Sequence, residues 1–240
     1  MMTDRAARFL SAYNRIDQTL RSVYRYKPSM SFTDIVRRTA PVNFLVSRYE
    51  DTLLDYGRLR NAIVHNSYEN AVIAEPYEET VAEFEKIAAL VCAPPKVIDV
   101  FDTEVRCLPP KTSLRDAILI IMETGFSNLP VFDGNRTHGV VGNRTLLGQI
   151  ARLIAEGENL DDAIKTRHAS PVQDKDYYLT LSAKATLPEV CDKFYQNRKL
   201  LAVVLTPRGT WNEKPVAIVT NSDVSRMENI LIGYEQNTHV

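Results

Sequence analysis

The sequence predicts an α+β protein of two domains: an α-helical bundle over residues 1–95, then a twice-repeated strand–helix unit over residues 96–240. Three observations predict this. Apolar residues recur at helical spacing through residues 4–92. The run Ala93-Pro94-Pro95 ends that pattern. Beyond it, short β-branched runs alternate with helical stretches, and the whole arrangement occurs a second time.

In the first half, Phe9, Tyr13, Ile16, Leu20 and Val23 form one helical stripe, broken at the Lys27–Met30 stretch "KPSM". Ser31 is placed to cap a short helix carrying Phe32, Ile35 and Val36. Pro41 opens a long helix at its first position, where a missing N–H costs nothing. The stripe of this helix runs Val42, Val46, Tyr49, Leu53, Tyr56, Arg60, Ile63. A last helix starts near Glu75, with acidic residues in its first turn, and carries Val81, Phe84, Ile87 and Val91. Four helices joined by short connections predict an antiparallel, four-helix bundle.

The chain has 240 residues, 45% hydrophobic, with a net charge of −1, so nothing in the total charge points to nucleic acid or membrane. The distribution is uneven: residues 1–67 carry net +5 and residues 68–96 net −4. Either the two helical faces pair with each other, or the basic part meets a polyanion. Cys92, Cys107 and Cys191 are odd in number and far apart, with neither metal-ligand nor disulfide spacing. They read as reduced thiols of a cytoplasmic protein, and no metal site is expected. No apolar run is long enough to span a membrane.

The second half repeats in detail. Residues 109–133 align with 181–206 at an offset of 73, which sets Leu114 on Leu187 and Val131 on Val204. Residues 139–146 align with 217–224 at an offset of 78, so the second copy has five extra residues, in the loop "TPRGTWNEK" that holds Trp211, the only tryptophan. Each copy reads strand, helix, strand, strand, helix, about 97–157 and 168–234. The marks "GFSNLPVFD" and "AIVTNSDV" make this repeat resemble the CBS domain, which occurs in tandem pairs that bind adenosine nucleotides. The resemblance implies that Thr220 offers a hydroxyl to ribose or phosphate and that Asp223 accepts the ribose hydroxyls. It also implies phosphate contacts from Arg198 and Lys199. Ser222 or Asp223 could instead serve as a helix cap. In the first copy Gly142 and Thr145 replace the Thr and Asp of that pattern, so one competent nucleotide site is expected. The implied ligand is regulatory: ATP, ADP, AMP or a cyclic dinucleotide, with no other cofactor required.

Arg60, Asn61 and His65 interrupt the apolar stripe of the third helix. Asn61 and His65, four apart, share a face. The motif "RNAIVH" within a helical bundle resembles the HEPN superfamily, which includes metal-independent ribonucleases acting as dimers. That resemblance implies His65 as general acid or base, Arg60 as the cation facing phosphate, and Asn61 as the group orienting the imidazole. Arg37, Arg38, Arg48 and Arg58 would track RNA phosphates. The expected function is a ribonuclease, toxin-like and regulated by an adenine nucleotide, acting as a homodimer or higher homo-oligomer. The alternative is a non-catalytic nucleotide sensor whose helical domain only dimerises or docks a partner.

Overall fold

The computed structural model describes residues 3–65, 67–68, 71–72, 74–101 and 104–236, with side chains for 3–64, 74–101 and 104–233. It divides into two compact units. One comprises residues 1–95 with 187–192 and 229–240; the other comprises 96–186 with 193–228. Among the described residues no helix is long and apolar enough to cross a membrane.

The first unit is built from α1 (Asp4–Tyr24), α2 (Phe32–Thr39), α3 (Phe44–Arg48), α4 (Glu50–His65), a minimal strand pair β1 (Ser67–Tyr68) and β2 (Ala71–Val72), and α5 (Glu78–Cys92). Thr3 and Ser31 cap α1 and α2 by accepting hydrogen bonds from the N–H groups of Ala6 and Asp34. The core is centred on Phe9, Tyr56 and Phe84, whose ring centroids lie 4.8–5.6 Å apart. Ile16, Leu20, Ile35, Leu53, Val81 and Ile87 fill the remainder.

Three expectations are corrected here. The single long helix opened by Pro41 is a 3-10 turn (Ala40–Val42), then α3, then α4. Asn43 causes the first break: its backbone is extended and its side-chain oxygen accepts from the N–H of Val46, starting a new helix. Val42 consequently lies on the surface, 46% exposed. Val23 likewise leaves its stripe, at 65% exposure. Thr19 bonds Cys92, the last residue of α5, so the following turn of α1 outruns its neighbour. Finally, α1 and α5 run parallel: Arg5 meets Glu75, Arg8 meets Glu85, and Thr19 meets Cys92. Short α2 and α3 do not return the chain over a full helix length, so simple up-and-down alternation is lost.

Part of the uneven charge pairs inside this unit. Arg5 pairs with Glu75 at 2.6 Å, and Arg8 pairs with Glu78 and Glu85, both at 2.7 Å. The Glu85 and Glu78 carboxylates raise Arg8 well above its ordinary range, and Arg8 holds Glu85 below the usual carboxylate value. Arg5 and Arg8 of the basic stretch thus find their partners in the acidic stretch, while Arg21 and Arg58 pair with Asp17 and Asp55 of their own stretch.

The second unit holds α6 (Leu114–Thr124), β3 (Asn128–Phe132), β4 (Thr137–Gly142), α7 (Asn143–Ala155), α8 (Leu160–Thr166), β5 (Tyr178–Ser182), part of α9 (Leu187–Gln196), β6 (Ala202–Thr206), β7 (Ala217–Thr220) and the start of α10 (Val224–Gln236). β3 and β4 pair antiparallel. β5 pairs parallel with β6, which pairs antiparallel with β7. The repeat is therefore present, with one difference: the leading strand of the first copy is reduced to a single bridge, Leu108 to Val131. The extra loop of the second copy folds around Glu213, whose carboxylate accepts from Thr206 and from the N–H of Arg208. Trp211 packs locally against the cluster of Val140, Tyr178, Ala202 and Val204.

Candidate functional site: two unequal clefts in the repeated unit

β7 alternates buried and half-buried residues, Ala217 and Val219 inward, Ile218 and Thr220 outward. Thr220 ends the strand in extended conformation, and a 3-10 turn (Asn221–Asp223) leads into α10. Asp223 turns back, and its Oδ2 accepts from the Thr220 N–H at 2.8 Å and from Thr220 Oγ1 at 2.7 Å. The Thr220 hydroxyl has a single proton, given to Asp223, so it accepts from Ser222 at 2.7 Å. Asp223 is thus a helix cap. Both bonds fall on Oδ2, and among the described residues Oδ1 makes no hydrogen bond.

Thr220 and Asp223 line a cleft of about 370 Å³. Its apolar wall is Phe101, Val105, Leu129 and Ile218, with half-exposed Phe126 at the same opening. Its charged groups are Glu104, Arg106, Asp223 and Arg226. The Arg226 guanidinium stands 4.7 Å from the Phe101 ring centroid, a cation–π geometry. Gly125 ends α6 at φ 73° and lets the chain turn directly into the cleft wall.

Arg198 and Lys199 lie elsewhere. Arg198 covers the Tyr195 ring at 5.3 Å, and Lys199 faces Asp176 at 3.7 Å; neither lines the cleft. The cations that do line it, Arg106 and Arg226, were missed from the sequence. Arg226 carried a signal, since it sits three residues after Asp223 and shares its end of α10. Arg106 carried none, because the strand expected to hold it is not formed.

The matching cleft of the other copy, about 350 Å³, is lined by Arg144, Thr145, Gln149, Tyr177 and Tyr178 among others. Thr145 Oγ1 accepts from the N–H of Gly142 at 2.8 Å and donates to its carbonyl at 2.8 Å. The capping role survives here, and the carboxylate does not. The space beside Gly142 is also filled. A Cβ added there would stand 2.5 Å from Asn128 Oδ1 and 3.0 Å from the Tyr178 hydroxyl. Those two groups bond each other, Tyr178 donating to Asn128 at 3.2 Å. Burial pushes the Tyr178 phenol up to about 12, so it stays a donor at neutral pH.

In the helical unit, Arg60 is half-buried. Its guanidinium lies 5.4 Å from the Tyr13 ring centroid and donates to Asn61 Oδ1 at 3.3 Å. Burial, then Asp17, raises the Tyr13 phenol, with Arg60 opposing. The side chain of His65 lies outside the described residues, so its expected bond to Asn61 does too. Arg37 and Arg38 are exposed at the end of α2, Arg48 covers Tyr49 at 5.8 Å, and Arg58 pairs with Asp55 at 2.7 Å.

Among known proteins, the family model of the CBS domain matches residues 97–152. No curated protein matches the chain. Among solved structures, the chain is similar to a CBS-domain containing protein of Agrobacterium tumefaciens, at 17% identity over 55% of this chain and 98% of that one, TM-score 0.41. It is also similar to the CBS domain of a bacterial CNNM/CorC family Mg2+ transporter in complex with ATP, at 17% identity over 66% and 99%, TM-score 0.43. A third is CBSX2 in complex with AMP, at 19% identity over 57% and 98%, TM-score 0.42. The family match thus covers the first copy, and its order of elements recurs in the second.

Proposed function

We propose that this protein senses an adenosine nucleotide in the cleft lined by Thr220 and Asp223, and that its helical unit is non-catalytic. The observation that carries the reading is the composition of that cleft: a carboxylate with one oxygen available, a hydroxyl, an apolar slot and two arginines. A ribose diol donates to the carboxylate, a flat base fits between apolar walls, and arginines meet phosphate. The helix start adds N–H groups of the sign phosphate requires.

The alternative, a nucleotide-regulated ribonuclease, needs a guanidinium that faces phosphate. Arg60 instead stacks on Tyr13 and bonds Asn61, which is how a half-buried cation is held within a bundle. The basic residues expected to track RNA are divided between ion pairs, ring contacts and separate helices. These arrangements support a helical unit that does not act on RNA.

Calorimetry with AMP, ATP and 2′,3′-dideoxy-AMP tests the sensing reading. Wild type binds AMP or ATP, and removal of the diol or Asp223→Ala lowers affinity roughly tenfold to a hundredfold, the range of a charge-assisted hydrogen bond. Equal binding of AMP and its dideoxy form would place the ligand elsewhere. Incubation of wild type, Arg60→Ala and His65→Ala with total RNA tests the other half: indistinguishable RNA is expected, and cleavage lost only in the variants would restore the ribonuclease.

A further inference from the structure

We propose that the groove between Tyr49 and α5 binds a small organic ammonium, an aryl-alkyl amine with a hydroxyl on its ring. The groove measures about 410 Å³, the size of a small-molecule site, and its lining residues all belong to the helical unit. Two lines of α5 residues, each spaced by four, form its floor: Glu78, Ala82 and Lys86, beside Glu79, Glu83 and Ile87. Tyr49, the residue that ends α3, forms a wall. The Tyr49 ring, Ala82 and Ile87 give the groove an apolar interior, which calls for an apolar body in the ligand.

The carboxylates call for a cation. Glu78 and Glu79 stand in the first turn of α5, where the helix dipole favours acids, and Arg8 neutralises Glu78 at 2.7 Å. Glu83 lies beyond that turn. The Tyr56 hydroxyl donates to it at 2.5 Å, which fixes the carboxylate without cancelling its charge. Glu79 is exposed and has no ion-pair partner among the described residues. Like charges four apart on a helix repel, so an ammonium set between Glu79 and Glu83 relieves a cost that the helix otherwise bears. Lys86, on the neighbouring line, is half-buried and has an interaction of its own.

Tyr49 supplies the independent sign of a ligand and sets its direction. Its hydroxyl is buried and makes no hydrogen bond among the described residues. Buried polar groups are otherwise paired, so an unmade bond in a residue that walls a groove points to a ligand group that completes it. Arg48 stands 5.8 Å from the centroid of the Tyr49 ring, which disfavours a second cation there. The ring and hydroxyl of the ligand therefore belong beside Tyr49, and its ammonium belongs between Glu79 and Glu83.

The test is calorimetry on the full chain with three probes: tyramine, phenethylamine, which lacks the ring hydroxyl, and tyrosol, which carries a hydroxyl in place of the ammonium. Tyramine binds, tyrosol binds roughly tenfold more weakly or not at all, and phenethylamine falls between them. Glu79→Gln and Glu83→Gln each weaken tyramine roughly threefold to tenfold, the range of partly exposed charge pairs, and high salt weakens it in wild type. Tyr49→Phe binds tyramine and phenethylamine alike. Melting temperatures check the fold of each variant, and the exposed Glu79 keeps at least one of them free of any packing change. Absence of tyramine binding, affinity indifferent to Glu79→Gln, tyrosol binding as tightly as tyramine, or a preference for tyramine over phenethylamine that survives in Tyr49→Phe would each overturn the proposal.

Discussion

At the scale of single residues, the two clefts differ by one substitution pair and by what has filled the resulting space. Thr145 and Asp223 do the same backbone work, each accepting from the N–H three residues earlier at 2.8 Å. Thr145→Ala therefore costs stability, about 1 kcal/mol for a lost cap, and leaves nucleotide affinity unchanged. Thermal melts and calorimetry on the same sample separate the two effects. Gly142→Thr restores the hydroxyl-bearing residue type but not the site. Its Cβ would meet Asn128 and the Tyr178 hydroxyl, and moving that bonded pair costs about 1–3 kcal/mol. The expected result is a lower melting temperature and no second binding event. A second nucleotide equivalent in Gly142→Thr would show that Asn128 yields easily.

At the scale of elements, the parallel contact of α1 with α5 is held by apolar packing inside and by Arg8 outside. Phe84 touches both Phe9 and Tyr56, so Phe84→Ala is expected to cost about 3–5 kcal/mol, read as a shift of the denaturant midpoint. The Arg8 clamp gives a pH signature. Arg8 lowers Glu85, so this pair stabilises fully above the unfolded carboxylate value, about 4.3, and its contribution is lost as pH falls through the lower folded value. The pair is more than a third exposed, so the effect is small and screened by salt. Melting temperature followed from pH 7 to 3 should fall less steeply in Arg8→Ala than in wild type at low salt, and the two curves should converge in high salt. Parallel curves at low salt would mean the clamp does not couple to folding.

At the scale of the whole molecule, the division into units does not follow chain order. Residues 187–192 and 229–240 belong with the helical bundle although they lie in the second copy of the repeat. A fragment cut after Pro95 therefore separates residues 187–192, among them the buried Cys191, from the rest of their unit. Burial of such a side chain is worth about 1.5–3 kcal/mol. The fragment 96–240 is expected to melt well below the full chain or to aggregate; a fragment as stable as the full chain would refute this. Ligand binding has its own global readout. Nucleotide at a hundred times its dissociation constant stabilises the intact chain by about 2.7 kcal/mol, and Asp223→Ala at the same concentration shows far less.

The sequence by itself determined the two-part architecture, the repeat, and Thr220 with Asp223 as a matched pair. Those are properties of spacing, and spacing of three, four or two residues is set by local backbone geometry. The exchange of Gly142 and Thr145 for that pair was legible for the same reason. The tertiary structure decided what spacing does not carry. The break at Asn43 depended on one side chain capping a new helix in competition with the apolar stripe. Arg106 and Arg226 entered the cleft, and Arg198 and Lys199 did not, because a cleft gathers residues from separate parts of the chain. Arg60 was readable as a cation in an apolar stripe, but only packing could give it Tyr13, forty-seven residues away, as its cover. The physical reason is common to all of these: helices and turns form from neighbours in sequence, whereas burial, charge pairing and clefts form from neighbours in space.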